Sequence, residues 1–277
     1  MPEETLSLRP GTMGWVNRFE PVARPARAHR HRELEFNLVT RGGGGYLIDG
    51  RRYELAPHTL LWLHPGQEHL LLEVSRDFEM WIAVFAREAV RWSCRSNWSA
   101  DLRRSRPRGL FCKRLNRSRG EALARLTQRA AAVRDEPDRF NAALLDLLMS
   151  AWAEHAAALR VDASSDVHPA VERAVQRMRR GDDVGVEDIA AHAGLSPSHL
   201  SRLFKSNLGV SLVAFRQRQR LERFIELYAA GRRLNLTRAA FAAGFGSYPQ
   251  FHRVFKQHLG ISPAEYRRRM APPKERA

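Results

Sequence analysis

One pattern occurs twice in the final third of this 277-residue chain. It reads GLSPSHLSRLFKSNLGVSLVAFR from Gly194 and GFGSYPQFHRVFKQHLGISPAEYR from Gly244. The later part of the match holds at a spacing of 51, pairing Arg202 with Arg253, Phe204 with Phe255, Lys205 with Lys256, Leu208 with Leu259, Gly209 with Gly260 and Arg216 with Arg267. The earlier part (Gly194 with Gly244) holds at 50, so the second turn carries one extra residue. Two copies of a helix, a tight turn and a basic helix confine this region to a helical domain with two equivalent heads.

Local signals set the helix boundaries. Ser196 is a capping residue followed by Pro197 at a first helical position, which fixes where the first basic helix starts. A longer helix is expected from Ser211 to Ala230, about 30 Å. The second unit repeats the arrangement over Thr237–Ala243, Ser247–His258 and Pro263–Met270. In the first basic helix Leu200, Leu203, Phe204 and Leu208 fall on one face, expected to bury against Ile189, Ala190 and Leu195, leaving Ser198, Ser201, Arg202 and Lys205 outward. In the second, Phe251, Val254, Phe255 and Leu259 face inward and Tyr248, Gln250, His252, Arg253 and Lys256 outward. Arginine can bond a guanine edge through two donors, glutamine can read adenine, and serine and lysine more often position phosphates.

Charge supports a polyanionic partner. The formal net charge is +16, and from Asp166 onward 20 Lys/Arg face 10 Asp/Glu. Residues 1–95 are close to balanced, with 13 against 12. A near-neutral head and a basic tail read as a sensing or assembly domain joined to a nucleic-acid domain. Cys94 and Cys112 are too few for a disulfide framework or a zinc module. No apolar run suits a signal peptide or a membrane span, so a soluble cytoplasmic protein without a membrane partner is expected.

The first part of the chain is β-rich. Glu35–Val39, Tyr46–Ile48, Arg52–Leu55, Leu60–Leu63, Leu70–Val74 and Met80–Phe85 read as six short strands. Asp49-Gly50 between two of them is a hairpin signal. This spacing predicts a small antiparallel barrel or jelly roll. Residues 87–119 are basic and give no clear element, and two helices follow over Glu121–Arg134 and Arg139–Leu159. Phe140, Leu144, Leu147, Leu148 and Ala151 form a stripe that either packs on the barrel or pairs with a second subunit. Arg160–Val167 reads as a polar linker. The expected organisation is two-domain: an N-terminal all-β barrel with appended helices and a C-terminal all-α double helix-turn-helix domain. The divisions are residues 1–95 (sensor barrel), 96–165 (basic connector and amphipathic helices, a candidate dimerisation segment) and 166–277 (DNA binding).

The strings IAAHAGLSPSHLSRLFK and FAAGFGSYPQFHRVFKQHLGISPAEYR resemble the DNA-binding domain of AraC/XylS transcriptional regulators over about 100 residues. In that family both recognition helices enter successive major grooves on one DNA face. The resemblance implies base contacts from Ser198, Ser201 and Arg202, and from Tyr248, Pro249, Gln250, His252 and Arg253. Gly246-Ser247-Tyr248-Pro249 departs from the more usual polar turn with an acidic residue near the helix start.

A second string, His29-x-His31-x3-Glu35-x6-Gly42, resembles the first cupin motif, and Pro65-Gly66-Gln67-Glu68-His69 part of the second. On a strand, residues 29, 31 and 35 share one face. With His69 they could form the three-nitrogen, one-oxygen site of metal-binding cupins, suited to iron, manganese, zinc or nickel. The glycine expected before His29 is absent, the second motif is shortened, and His64 stands where proline is usual. Three readings stay open: a divalent metal in the barrel, an organic effector, or a ligand-free assembly domain. In a plainer reading His29 and His31 are exposed within the basic stretch Arg27–Arg32. Trp62, Trp81 and Phe85 are candidate pocket-lining residues or plain core.

A one-component, sequence-specific transcriptional regulator is therefore expected, an activator or a repressor. Its partners would be double-stranded promoter or operator DNA, a small-molecule effector, a second copy in a homodimer, and RNA polymerase if it activates. No catalytic motif is present and no enzyme is expected. The rivals are a metal-dependent cupin enzyme tethered to DNA and a non-specific architectural DNA binder.

Overall fold

The computed structural model describes residues 6–19, 29–105, 107, 111–158, 160–161, 164–179, 184–230 and 235–270. The described residues up to Asp166 form one compact unit and those from Val167 a second.

Seven strands open the first unit: β1 (Gly14–Phe19), β2 (Leu34–Arg41), β3 (Gly44–Ile48), β4 (Arg51–Leu55), β5 (Thr59–Leu63), β6 (His69–Val74) and β7 (Glu79–Phe85). Asp49 and Gly50 close the β3–β4 hairpin with φ of 43° and 78°, the two positive values that a type I′ turn requires. β1 lies outside the expected set, because exposed Asn17 and Arg18 break its alternation, yet it pairs antiparallel with β7 from Gly14↔Phe85 to Phe19↔Met80.

The basic stretch that gave no clear element folds as α1 (Arg87–Ser93), a 3-10 helix (Asn97–Arg103) and β8 (Cys112–Arg114). Two helices follow, α2 (Arg117–Ala132) and α3 (Pro137–Ala157). The segment expected to be a linker instead supplies β9 (Arg160–Val161) and β10 (Ser164–Asp166). β9 pairs with β8, and β10 pairs with β4. An edge strand offers unpaired N–H and C=O groups to any extended neighbour, so pairing of this kind needs no apolar pattern. Arg27, Leu159, Asp162 and Ala163 lie outside the described residues. The sheet orders are β1-β7-β2-β5-β8-β9 and β10-β4-β3-β6, and every strand pairing is antiparallel.

Strand alternation gives the larger sheet two different faces. Leu34, Phe36 and Leu38 of β2, Leu60 and Trp62 of β5, and Ala83 and Phe85 of β7 share a core with Phe140, Leu144, Leu147, Leu148, Ala151 and Trp152 of α3. The α3 stripe is thus buried on the sheet of its own chain. Each fully buried Leu or Phe there contributes about 1.5–3 kcal/mol of apolar burial. Trp62 crosses Trp152 edge to face at 5.9 Å, and the Trp152 indole donates to the Trp98 carbonyl at 2.8 Å. Trp62, Trp81 and Phe85 therefore belong to the helix-facing core and do not line the site of Glu35, which sits at odd parity on the opposite face of β2.

The second unit is helical: α4 (Pro169–Arg179), α5 (Val186–Ala193), α6 (Pro197–Leu208), α7 (Leu212–Ala230), α8 (Leu236–Ala242), α9 (Tyr248–Leu259) and α10 (Pro263–Met270). The sequence repeat is also a packing repeat. Phe204 and Phe215 meet edge to face at 5.3 Å and 69°, and their counterparts Phe255 and Tyr266 at 5.4 Å and 72°. α7 belongs to both heads: its Phe215 packs on α6, while Phe224 sits 4.5 Å from Phe251 and 5.6 Å from Phe255.

Candidate nucleic-acid interface and effector site

Each head is built the same way from its turn outward. Gly194 (φ 74°) and Gly244 (φ 95°) end α5 and α8 in the left-handed region, where a Cβ is disfavoured. Leu195 N–H then donates to the Ala190 carbonyl at 3.0 Å, and Phe245 N–H to the Ala240 carbonyl at 3.1 Å, the 6→1 bond of a Schellman motif in both copies. Ser196 accepts from His199 N–H at 3.4 Å and Ser247 from Gln250 N–H at 3.3 Å, starting the two basic helices. Gly209 (φ 76°) and Gly260 (φ 71°) stop them. The turn, the cap and the stop together set the angle at which each helix is presented.

Leu200, Phe204 and Leu208 of α6 are buried, while Ser198, Ser201, Arg202 and Lys205 are exposed as the sequence suggests. Leu203 and Leu195 are half-buried. The Ser201 hydroxyl donates to the Pro197 carbonyl at 2.8 Å, which leaves its oxygen free only to accept. His199, also exposed, sits among them at the position matching Gln250. Its single histidine in a serine-rich turn gave no distinctive signal.

α9 buries Phe251, Val254, Phe255 and Leu259 and exposes Pro249, Arg253 and Lys256. Three residues expected to face outward, Tyr248, Gln250 and His252, are half-buried. Tyr248 is half-buried and packs on Phe251 at 5.6 Å. Gln250 is half-buried, and its side-chain oxygen accepts from Gly246 N–H at 3.3 Å. The extra residue in the second turn leaves Gly246 N–H without a helical acceptor, and Gln250 supplies one. His252 is half-buried, its ring 6.4 Å from that of Tyr248. The second head thus presents a shorter polar edge than the first.

In the first unit, His29, His31, Glu35 and His69 converge. Reciprocal backbone hydrogen bonds between His29 and His69, 3.1 and 3.0 Å, hold the segment before β2 against the start of β6. The two Nε2 atoms are 3.0 Å apart, and His31 Nε2 lies 3.1 Å from Glu35 Oε2. His31, Glu35 and His69 are buried and His29 is half-buried, so the plainer reading of exposed histidines does not hold. The structure also brings in Asn37, which donates to Glu35 Oε1 at 2.9 Å. Its signal was available, since residue 37 shares the β2 face of residue 35.

Electrostatics divide the cluster. Burial alone would lower the His31 pKa, but the hydrogen bond and charge of Glu35 outweigh it and raise it. Burial would raise the Glu35 pKa, and the hydrogen bond from His31 with the surrounding imidazoles holds it below its ordinary value. His69, desolvated and beside His29, is pushed down to about 3 and is neutral at pH 7. A buried, ionised carboxylate faced by imidazoles can hold a cation or accept hydrogen bonds from a polar ligand.

Comparison with known proteins accounts for both units. A family model described as a helix-turn-helix domain matches residues 189–269, and one described as an AraC-like ligand binding domain matches residues 23–151. The chain is 26% identical over 253 residues to the arabinose operon regulatory protein of Escherichia coli (strain K12), covering 83% of this chain and 79% of that protein. It is 32% identical over 92 residues to the probable transcription factor PqrA of Proteus vulgaris, covering 33% of this chain and 74% of that one. A solved structure, the C-terminal domain of AraT, a response regulator from Geobacillus stearothermophilus, is 28% identical, covers 41% of this chain and 95% of that one, and has a TM-score of 0.36. With a ligand-binding domain ahead of a duplicated helix-turn-helix, the chain belongs to the AraC family and is a DNA-binding transcriptional regulator.

Proposed function

We propose that the two heads read unequal halves of one asymmetric operator. The observation that carries this reading is the difference between two helices on a duplicated scaffold. α6 offers Ser198, Ser201, Arg202 and Lys205 on one exposed face, whereas α9 offers Pro249, Arg253 and Lys256, with His252 half-exposed and Tyr248 and Gln250 partly withdrawn. Arg202 and Arg253 read base edges, Lys205 and Lys256 hold phosphates, and Ser201 accepts from a base amino group. Tyr248 and Gln250 act by setting the start of α9.

Selection of bound sequences from a random DNA pool, followed by footprinting, tests this. A site with one well-defined and one looser half is the expected result. Arg202→Ala should cost about 1–3 kcal/mol on that site and flatten preference at one base position, and Arg253→Ala should do so in the other half. Equal weakening on every sequence would reassign both arginines to phosphates. A steep salt dependence with no gain over random DNA would favour an architectural binder.

The protein works as a regulator and not as an enzyme, in keeping with relatives that are transcriptional regulators. It acts in the cytoplasm on promoter DNA; none of the described helices is long and apolar enough to cross a membrane. A small-molecule effector binds the N-terminal unit at His29, His31, Glu35 and His69. The chain pairs as a homodimer, and because the α3 stripe is buried within one chain, the pairing surface lies elsewhere. As an activator it would also meet RNA polymerase.

A further inference from the structure

We propose that β10 is a latch on the chain that leads into the DNA-binding unit, set from the effector site through the β3–β4 hairpin. This rests on the reading of His29, His31, Glu35 and His69 as that site. The observation that carries it is one row of paired residues across the smaller sheet. His29 is bridged to His69, His69 is paired with Ile48, Ile48 with Arg51, and Arg51 with Asp166. The row starts in the imidazole cluster and ends at the last residue of the first unit, since Val167 belongs to the second. With neighbouring strands about 4.8 Å apart, it crosses about 14 Å from β6 to β10.

The hairpin joins the two ends because its tip is fastened beside His69. Asp49 N–H donates to the Glu68 carbonyl at 3.0 Å. The Asp49 carboxylate accepts from Glu68 N–H at 3.0 Å and from the Gln67 side-chain amide at 3.4 Å. His69 Nδ1 lies 3.0 Å from the Gln67 carbonyl. A ligand that orients the His69 ring therefore steadies the turn that holds the hairpin tip. Two residues past Asp49, Arg51 meets β10, its Nε 3.3 Å from Asp166 Oδ1.

The β10 end is the one able to open. It is three residues long, Ser-Ser-Asp, with Ser164 half-buried and Ser165 and Asp166 exposed, so no apolar side chain anchors it. The Arg51 and Asp166 side chains are 39% and 86% exposed, and water screens their attraction. β3 and β6, by contrast, are mostly buried. An edge strand held this way can detach without unfolding the sheet, which makes it the two-state element that coupling between sites requires. Detachment frees about 10 Å of extended chain ahead of the DNA-binding unit. An effector that binds better when the tip is fixed favours the attached form, and attachment favours the effector to the same degree.

Hydrogen–deuterium exchange on the full-length protein tests the coupling, read on peptides covering Ser164–Asp166 and residues 67–71. Asp49→Gly keeps the positive φ of the turn and removes the carboxylate that fastens the tip. Exchange at Ser164–Asp166 should rise at least fivefold in that variant, and also in His29→Pro, which breaks the bond from His29 N–H to the His69 carbonyl. Ser206→Ala, exposed on α6, should leave it unchanged. In the reverse direction, a double variant, Ser164→Pro with Ser165→Pro, removes at least one ladder bond, because successive N–H groups of a strand point opposite ways. Exchange at residues 67–71 should then rise. If His29→Pro fails to fold, Asp49→Gly still decides, since Asp49 is an exposed turn residue. Unchanged exchange at Ser164–Asp166 in Asp49→Gly overturns the coupling, and exchange there as fast as in an unstructured peptide overturns the latch itself. Operator binding separates the remaining claims. A changed affinity or footprint in the double proline variant supports the regulatory role of the latch, and identical binding overturns that role. Failure to select any DNA sequence at all would instead strike the regulatory reading. A ligand found bound away from the cluster would strike the reading of the site, with the exchange result still standing.

Discussion

Acid should loosen the first unit through His64 and His155, two buried histidines outside the cluster around Glu35. His64 extends the helix-facing parity of Leu60 and Trp62, and His155 lies on α3 between Trp152 and Phe111. They are 1% and 3% exposed, and among the described residues Nε2 of His155 has no hydrogen-bond partner. Burial, opposed only in part by the Arg104 carbonyl and the Asp101 charge, pushes His64 down to about 4. Burial and the Lys113 ammonium push His155 down to about 3. Both folded values lie below the ordinary 6.5, so the unfolded chain binds more protons between them. The stability is fully present above pH 6.5 and is lost as pH falls toward the folded values.

At pH 5 each histidine costs about 2 kcal/mol, and the pair about 4, on the linkage relation. Urea unfolding followed by tryptophan fluorescence at pH 7.5, 6.0 and 5.0 reads this directly. The wild type should lose stability over that range more steeply than the double variant His64→Gln, His155→Gln, although the variant begins lower because packing is lost. The comparison cancels the contributions of His31, Glu35 and His69. Parallel losses in the two proteins would refute the assignment of these imidazoles as buried and neutral.

Phe224→Ala removes the ring that α7 places against Phe251 and Phe255, at a cost of about 3–5 kcal/mol. Footprinting should then show protection only over the half-site of the first head; an unchanged footprint and melting temperature would contradict the shared-helix account. Ser247→Ala removes the α9 cap, and a loss of about 1 kcal/mol is expected in chemical denaturation, with weaker binding confined to the second half-site. Gly209→Ala forces a Cβ into the left-handed region at the end of α6 and should cost about 1 kcal/mol or more, whereas an exposed Ser206→Ala should change stability little.

The repeat made the second unit legible because helix-turn-helix geometry is local. Caps at Ser196 and Ser247, stops at Gly209 and Gly260, and a 3.6-residue apolar period all act within a few residues. The same holds for the Asp49-Gly50 hairpin. What escaped reading were contacts whose cause is distant in sequence. β9 and β10 form because β8 and β4 leave open edges, and no side-chain pattern in Arg160–Asp166 announces that. Tyr248 and Gln250 turned inward for reasons that need the folded turn to be seen: Tyr248 packs on Phe251, and Gln250 accepts from Gly246 N–H.

The candidate effector site divides along the same line. The string of His29, His31 and Glu35 is visible in the sequence, as is His69. That His69 reaches them depends on the backbone bridge between residues 29 and 69, forty positions apart. By itself the sequence determined the duplicated heads, their caps and their outward arginines, because helix periodicity and turn chemistry are short-range. Only the tertiary structure decided which aromatic rings face α3 and which imidazoles share a carboxylate. It also decided whether the α3 stripe is used within the chain. Those outcomes depend on which sheet face is covered, and coverage is settled by parts of the chain that meet only on folding.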